Sequence, residues 1–233
     1  MTLHADARRL AALASARQLV EFLSIRIDVL PEPEDRGVTS HIGAALADSV
    51  LQAGLRYDTV VSGRVRRIVE LFPEAATVSG TIDALSVHGP RHFLSWTHPR
   101  KIVRFTGLLC HIHAEGVETC ADLYVWLDRE DARQSLLTLK GIGPKTVDYL
   151  CSLVGLECVA VDRHMRQLAQ FAGIEQTDYS ELKLVISYAA DLMNVPRRKF
   201  DWWLWRLMSQ KDKERGESPS WLADMRKQVR SPN

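Results

Sequence analysis

The stretch LKGIGPKTVDYL, at positions 139–150, most constrains the fold, because it ends one helical pattern and immediately begins another. Gly141 and Gly143 allow backbone conformations and close approaches that other residues resist. Pro144 suits the first turn of a helix, where its missing N–H has no partner to lose. The apolar residues that follow recur at the spacing of one buried helical stripe: Val147, Leu150, Cys151 and Val154. The stretch therefore predicts two helices joined by a tight glycine turn.

The rest of the chain carries the same helical periodicity, and no segment alternates with period two for long. A first helix is predicted over about 5–28. A charged, proline-containing linker follows it at Pro31–Gly37. The apolar segment LECVAV, at 156–161, lies between two helical patterns and is predicted as an extended connector rather than a strand. The sequence therefore predicts an all-α fold of roughly ten short helices.

The composition is that of an ordinary globular protein, with 46% hydrophobic and 25% charged residues in 233 positions. The formal net charge of +1 neither requires nor excludes a nucleic-acid partner, because a local basic face can lie on a neutral protein. No apolar run reaches the length of a membrane span. Charged residues interrupt the apolar N-terminal stretch that faintly resembles a signal peptide. We expect a cytoplasmic protein without membrane contact.

The four cysteines match the spacing of neither a zinc ribbon nor a small disulfide-linked domain. They are Cys110, Cys120, Cys151 and Cys158. This spacing predicts isolated buried thiols in a reducing compartment, and it predicts no metal site.

Lys145 is the unusual residue of the hairpin, because the helix macrodipole disfavours a positive charge at a helix N-terminus. Partial desolvation there would lower the pKa of an amine, and a neutral amine is the nucleophile that forms Schiff bases. Tyr149 lies one helical turn later on the same face. The alternative interpretation is a surface lysine that contacts phosphate. The two glycines favour an anion-binding turn with open amides, and the alternative is a helical corner that binds nothing.

A second polar feature follows in the stretch AVDRHMRQLAQFAG, at 160–173. Asp162 precedes a helical pattern and stands where an N-cap residue is expected. His164 is a candidate contact for a phosphate or a base, and a structural histidine is the alternative.

The hairpin with its lysine, the connector and the V-D-x-H-M stretch together resemble the helix-hairpin-helix (HhH-GPD) DNA glycosylases. The resemblance covers Ile42 to Met208 and is strongest from Leu137 to Gly173. The wording of the stretch at 145–165, KTVDYLCSLVGLECVAVDRHM, is more similar to the 8-oxoguanine glycosylase branch. The stretch at 141–146, GIGPKT, is also compatible with the endonuclease III branch. The chain departs from the pattern in having no proline shortly before Asp162. It also has no cysteine after Cys158, so the iron–sulfur cluster of some endonuclease III relatives is not expected.

The resemblance implies a base-excision-repair DNA glycosylase with associated AP lyase activity. Lys145 would add to C1′ of the sugar as a Schiff base, and Asp162 would stabilise positive charge on the sugar and help to deprotonate the amine. The excised base would be oxidised, with 8-oxoguanine favoured and an oxidised pyrimidine next. Two alternatives remain: a helix-hairpin-helix protein that binds DNA without catalysis, and an unrelated helical interaction protein.

The implied partner is double-stranded DNA that contains a damaged base, bound by a nucleoid-associated monomer. The implied reaction needs no cofactor, although a monovalent cation at the hairpin is compatible with it. Gln52 would fill the space that the extruded base leaves in the stack. The other residues implied to contact DNA are Gly141, Gly143, Arg100, Lys101 and Arg104. The residues implied to line the base pocket are Tyr149, His164 and Trp202.

Two further clusters of basic residues are compatible either with phosphate contacts or with solvated faces. They are Arg64, Arg66 and Arg67 in one case, and Arg197, Arg198 and Lys199 in the other. The late tryptophans, Trp202 and Trp203, lie in a helical pattern that also suits an ordinary core.

The resemblance also implies two helical subdomains with an active-site cleft between them. A helical barrel would span 42–154 and end in the helix-hairpin-helix motif at 130–154. Residues 155–233 would form a C-terminal helical subdomain with a charged tail, against which the N-terminal helix and linker of 1–41 would pack. The lysine and the aspartate would then face each other across the junction.

Overall fold

The computed structural model describes residues 2–24, 38–175 and 178–209, and every regular element among them is helical. The predicted all-α fold is therefore confirmed for these residues. The segment at 156–161 forms neither helix nor strand, as predicted for a connector. The predicted charged linker and charged tail lie outside the described residues.

Twelve α-helices are present among the described residues. In chain order they are α1 (Thr2–Ser24), α2 (Ile42–Leu51), α3 (Ser62–Leu71), α4 (Val78–His88), α5 (Pro90–Phe93), α6 (Pro99–Ala114), α7 (Cys120–Asp128), α8 (Glu130–Leu137), α9 (Pro144–Leu153), α10 (Arg163–Phe171), α11 (Tyr179–Leu192) and α12 (Arg197–Ser209). A π-helical turn at Tyr57–Val61 runs into α3, and a 3₁₀ turn at Pro73–Ala76 precedes α4. Helices as short as most of these depend on tertiary packing rather than on helix propensity. Within the described ranges, no helix is both long and apolar enough to cross a bilayer.

The chain divides into two compact units. The continuous unit spans Gly37–Glu157, and the split unit combines Met1–Arg36 with Cys158–Asn233. The sequence-based division placed the corresponding boundaries at 41/42 and 154/155. The glycine hairpin belongs to the continuous unit, and the predicted N-cap aspartate belongs to the split unit.

α2 is the central helix of the continuous unit, and all ten of its residues are buried. It packs against α3, α4, α6 and α9. Small residues allow this close packing: a Cβ atom on Gly43 would lie 2.7 Å from Oγ1 of Thr81 and 2.9 Å from the carbonyl oxygen of Ala75. Because α2 is enclosed on all sides, any polar side chain that it carries is held in a fixed position.

α2 begins at an N-cap formed by the imidazole of His41. Nδ1 accepts the amide N–H of Ala44 at 3.1 Å, and Nε2 donates to the carbonyl oxygen of Phe72 at 2.9 Å. The two bonds fix the neutral tautomer with its proton on Nε2. The imidazole thus joins the start of α2 to the end of α3.

The core of the split unit lies where α1 packs on α11 and where α10 packs on α12. α1 contributes one buried stripe at helical spacing: Ala12, Ala16, Leu19 and Leu23. α12 contributes Phe200 and Trp203, both of which are buried, so the interpretation of Trp203 as core is confirmed. Asp201, 8% exposed, accepts the amide N–H of Ala160 at 3.2 Å and ties the end of the connector to α12.

Candidate active site at the glycine hairpin

α8 and α9 are joined by a tight turn, as the sequence predicts. The amide N–H of Ile142 donates to the carbonyl oxygen of Leu139 at 3.0 Å, and Gly143 is the N-cap of α9. Gly141 has a φ of +86°, which favours glycine, whereas the φ of Gly143 is −115°, which any residue adopts. The conformational requirement for glycine therefore applies to Gly141 alone.

The two glycine amides of the turn take no part in the helical hydrogen-bond ladders. Among the described residues, none accepts a hydrogen bond from the amide N–H of Gly141 or Gly143, and no side chain caps the start of α9. Gly141 is exposed and Gly143 is partly exposed. Open amides at a helix N-terminus are the arrangement that binds phosphate and other anions.

Arg104, on α6, lies directly over this turn. A Cβ atom on Gly141 would lie 2.7 Å from Cζ and 2.9 Å from Nη2 of the Arg104 guanidinium. Glycine at this position therefore provides space as well as a backbone conformation. The structure places the positive charge of Arg104 beside Gly141, and the predicted DNA contact of Arg104 stays a prediction.

Lys145 occupies the first turn of α9 and is only partly exposed. Its ammonium donates to Oε1 of Gln52 at 2.9 Å. Gln52 is itself fixed, because it is 9% exposed and its backbone N–H donates to the carbonyl oxygen of Asp48 at 3.0 Å. Its side-chain amide also lies 3.4 Å from the carbonyl oxygen of Ser49. The amine is thus held in a defined position by a neutral acceptor.

The predicted insertion of Gln52 into the DNA stack stays a prediction. In this structure its side chain is buried against Lys145 rather than extended into solvent. Sequence reasoning missed this contact, because no local pattern connects two residues that lie 93 positions apart.

Two phenols beside the hairpin share one buried carboxylate. Tyr149 donates to Oδ1 of Asp48 at 3.1 Å, and Tyr57 donates to Oδ2 at 3.2 Å. Asp48 is 2% exposed, whereas both tyrosines are partly exposed. Of these three residues, only Tyr149 was predicted from the sequence as part of the site. The sequence feature that could have identified Asp48 is its position as a single charged residue inside the otherwise apolar helical segment IGAALADSVL.

Lys101 is directed into its own unit. Its ammonium donates to three carbonyl oxygens at the C-terminal end of α2: those of Val50 (2.6 Å), Leu51 (3.3 Å) and Ala53 (2.7 Å). A cation there satisfies carbonyls that the helix leaves open and complements the helix dipole. Burial, with smaller contributions from the charges of Arg104 and Lys145, lowers the pKa of Lys101 to about 8. Lys101 therefore caps α2, and its predicted DNA contact stays a prediction.

The remaining basic residues differ in how far they are available to a ligand. Arg100 is exposed at the start of α6. Arg64 and Arg67 donate to backbone carbonyls of the continuous unit, and the Arg64 guanidinium lies 5.1 Å from the centroid of the Trp96 ring. In the split unit, Arg197 forms an ion pair of 2.7 Å with a carboxylate of α11. Arg64, Arg67 and Arg197 therefore make contacts within their own units. Arg100 remains a candidate DNA contact.

Asp162 caps α10, as the sequence predicts. Its Oδ1 accepts the amide N–H of His164 at 2.8 Å and that of Met165 at 3.1 Å, and no donor to Oδ2 occurs within the described part of the chain. Asp162, His164 and Trp202 are all partly exposed. Trp202 stacks on Trp205, with ring centroids 5.0 Å apart and ring planes inclined by 11°. The catalytic role of Asp162 and the pocket roles of His164 and Trp202 stay predictions.

No protein-family model matches this chain, and neither a curated protein nor a solved structure matches it significantly. The resemblance to helix-hairpin-helix glycosylases therefore rests on the residues themselves. Those residues are the glycine turn, Lys145 on α9 and Asp162 at the start of α10.

The described cysteines and potential metal ligands are dispersed. No group of three or more His, Cys, Asp or Glu side chains is arranged as a metal site in the described parts of the chain. All four cysteines are free thiols, and burial raises the pKa of Cys120 to about 11. The prediction that all four are buried was wrong for Cys110, which is exposed on α6 because it lies on the solvent face of that amphipathic helix.

Proposed function

We propose that the protein is a DNA glycosylase with associated AP lyase activity, which acts in base-excision repair through a Schiff base on Lys145. The observation that carries the proposal is the position of this amine. It lies on the first turn of α9, beside a turn with open amides, and it is held at 2.9 Å by the neutral side chain of Gln52. A lysine that only contacts a solvent-exposed phosphate needs no such buried acceptor.

The bond to be broken joins C1′ of a deoxyribose to the damaged base. Nζ of Lys145, as the neutral amine, forms a bond to C1′ while the base departs with the bonding electron pair and takes up a proton. Opening of the sugar ring gives the Schiff base, and loss of a proton from C2′ then breaks the C3′–O bond and nicks the strand. Asp162 would stabilise the positive charge on the sugar, which requires the carboxylate and the amine to reach the same nucleotide.

Phosphate recognition is the second part of the proposal. The open amides of Gly141 and Gly143 and the Arg104 guanidinium support one backbone phosphate contact at the hairpin. Lys140, in the turn, and Arg100 are exposed and add positive charge to the surface. Contacts of this type position the DNA without reading its sequence, and they make affinity fall steeply with salt.

The proposed substrate is an oxidised base in duplex DNA, with 8-oxoguanine before an oxidised pyrimidine. The base must leave the stack, which costs least for a damaged or mispaired base. The partly exposed ring of Tyr149, one turn from Lys145 on α9, supports a stacking wall for the extruded base.

The test is borohydride trapping on duplexes that contain 8-oxoguanine, thymine glycol or an abasic site. Borohydride reduces a Schiff base to a stable amine, so a lysine-linked intermediate becomes a covalent protein–DNA adduct. We expect an adduct with the natural protein and none with Lys145→Ala. Lys140→Ala is the matched control, because it removes an exposed lysine of the same turn and should leave the adduct in place.

Each outcome distinguishes one function from another. An adduct that persists in Lys145→Ala would exclude this residue as the nucleophile. Salt-sensitive DNA binding without an adduct would indicate a helix-hairpin-helix protein that binds DNA without catalysis. Failure to bind any of these duplexes would contradict both and leave an interaction protein of another kind.

A further inference from the structure

Two helices of the continuous unit carry a matched pair of polar contacts. Asp48 on α2 lies one turn before Gln52, and Lys145 on α9 lies one turn before Tyr149. Asp48 bonds to Tyr149 at 3.1 Å, and Gln52 bonds to Lys145 at 2.9 Å. Residues four apart lie on one face of a helix. The two contacts therefore lie one helical turn apart along the interface between two antiparallel helices.

Burial of the Asp48 carboxylate at this position has a high desolvation cost. It is 2% exposed and lies on a helix whose ten residues are all buried. Packing in such a helix favours an apolar side chain, because a buried charge is strongly unfavourable unless it is paired and hydrogen-bonded. A charge kept in this environment next to a candidate nucleophile indicates a role beyond packing.

The two phenols fix the carboxylate, and the carboxylate in turn fixes the phenols. Tyr149 bonds to one oxygen of Asp48 and Tyr57 bonds to the other, so the plane of the carboxylate is set. A tyrosine whose hydroxyl is tethered in this way has its ring orientation fixed as well. Tyr149 is therefore presented in one orientation on the face of α9 that carries Lys145.

We propose that Asp48 is a positioning residue for the reaction of Lys145. It acts through Tyr149, whose ring it holds on the face of α9 that carries Lys145, and through its negative charge, which stabilises the ammonium and so sets the pH at which the amine loses its proton. The inference rests on the proposed function, because it concerns the step in which this amine loses a proton and attacks C1′.

The charged and titratable groups around the amine come from three helices. α6 contributes Lys101, whose charge interacts with that of Lys145 and with that of Arg104 on the same helix. α2 contributes Asp48, and α9 itself carries Asp148 and Tyr149. Asp48 therefore opposes the two cations of α6. Its removal would destabilise the ammonium relative to the neutral amine, so the pKa of Lys145 would fall.

The experiment measures the rate of adduct formation on an abasic-site duplex as a function of pH, with borohydride as the trap. An abasic site already lacks its base, so amine addition is measured without base release. For Asp48→Asn we expect the midpoint of the rising limb to move about one unit to lower pH. For Tyr149→Phe, which keeps the carboxylate, we expect an unchanged midpoint and a plateau rate about tenfold lower.

Tyr57→Phe is the matched control. It removes the other phenol from the same carboxylate but lies on the π-helical turn rather than on α9. We expect its midpoint to equal that of the natural protein and its plateau rate to fall less than that of Tyr149→Phe, because Tyr57 orients the carboxylate but does not lie on the face of α9 that carries Lys145. A general loss of stability at Asp48 would affect both phenol variants alike and would leave the midpoint in place.

The results separate this inference from the proposed function. An adduct whose pH midpoint is the same in Asp48→Asn as in the natural protein would overturn the electrostatic role. Equal plateau rates in Tyr149→Phe and Tyr57→Phe would overturn the positioning role. Because this comparison does not use Asp48→Asn, it tests the positioning role even if that variant does not fold. A natural protein that forms no adduct at all would contradict both the inference and the proposed function.

Discussion

The side-chain oxygen of Gln52 accepts a hydrogen bond from the ammonium of Lys145 at 2.9 Å, although the two residues lie 93 positions apart in sequence. This amide oxygen is a neutral acceptor, and the hydrogen bond fixes the direction in which the amine points. The contact therefore gives Gln52 a role that does not depend on insertion into DNA.

The two roles of Gln52 can be separated on single-stranded abasic DNA, which offers no stack to fill. We expect Gln52→Ala to slow adduct formation on this substrate about tenfold, because a hydrogen bond to a charged group contributes roughly 1.5 kcal/mol. Gln134→Ala is the matched control, because Gln134 is an exposed glutamine on α8 that bonds to Glu130. A rate that falls only on duplex DNA would assign Gln52 to insertion alone.

The features that the sequence predicted are those that local physics determines. The helical periodicity around the glycine turn specifies two helices, and a positive φ at Gly141 follows from the tightness of the turn. Asp162 was predicted as an N-cap because a cap bonds only to amides two and three residues later. The all-α fold follows from the same periodicity repeated along the chain.

The contacts that the sequence did not predict are those that packing determines. Lys101 bonds to the end of α2, Gln52 bonds to Lys145, and Asp48 bonds to Tyr149. Each pair depends on how α2, α6 and α9 pack together, and no short sequence pattern determines that packing. Asp48, a charged residue inside an apolar helical segment, was the one feature of the sequence that pointed to these contacts.

Lys101 makes the stability of the protein depend on pH in a direction that can be tested. Its pKa in the folded protein is about 8, below the ordinary value of 10.5. Between these values the unfolded chain binds more protons than the folded one, so the free energy of unfolding rises with pH. Below about pH 8 both states are protonated and this gain is absent.

Lys101→Arg removes this dependence, because a guanidinium stays charged throughout the range. Urea unfolding of both proteins at about pH 7.5 and about pH 9.5 measures the difference. We expect the natural protein to gain stability relative to Lys101→Arg as the pH rises. Parallel pH dependences would show that Lys101 is not desolvated in solution as it is in this structure.

Gly141→Ala should destabilise the hairpin for two reasons. A φ of +86° is unfavourable for alanine, and its Cβ would displace the Arg104 guanidinium. We expect a loss of about 1–2 kcal/mol in the free energy of unfolding. Gly143→Ala is the matched control, because its φ is −115° and no atom lies within 4 Å of the added Cβ.

Arg104→Ala in the Gly141→Ala background separates the two causes. Removal of the guanidinium relieves the steric conflict and leaves only the backbone strain, so the double variant should lose less stability than the single losses would add up to. Strictly additive losses would show that the guanidinium moves aside freely.

Asp162 combines a structural role with the proposed chemical one, and asparagine separates them. Asn caps a helix about as well as Asp does, so Asp162→Asn should keep its stability, whereas Asp162→Ala should lose about 1 kcal/mol. If the carboxylate stabilises charge on the sugar, Asp162→Asn should keep its DNA affinity and lose about a hundredfold in turnover. Chemical unfolding, DNA binding and single-turnover base release measure the three quantities.

Asp178 supplies the matched control, because it is also an N-cap aspartate of the split unit. Its Oδ1 accepts the amide N–H of Ser180 at 2.7 Å and that of Glu181 at 3.1 Å, at the start of α11. Asp178→Ala should lose stability through the same loss of a cap and keep its turnover. Normal turnover in Asp162→Asn would remove Asp162 from the mechanism. An equal fall in turnover in Asp178→Ala would attribute the effect to the stability of the unit rather than to a carboxylate that acts on the sugar.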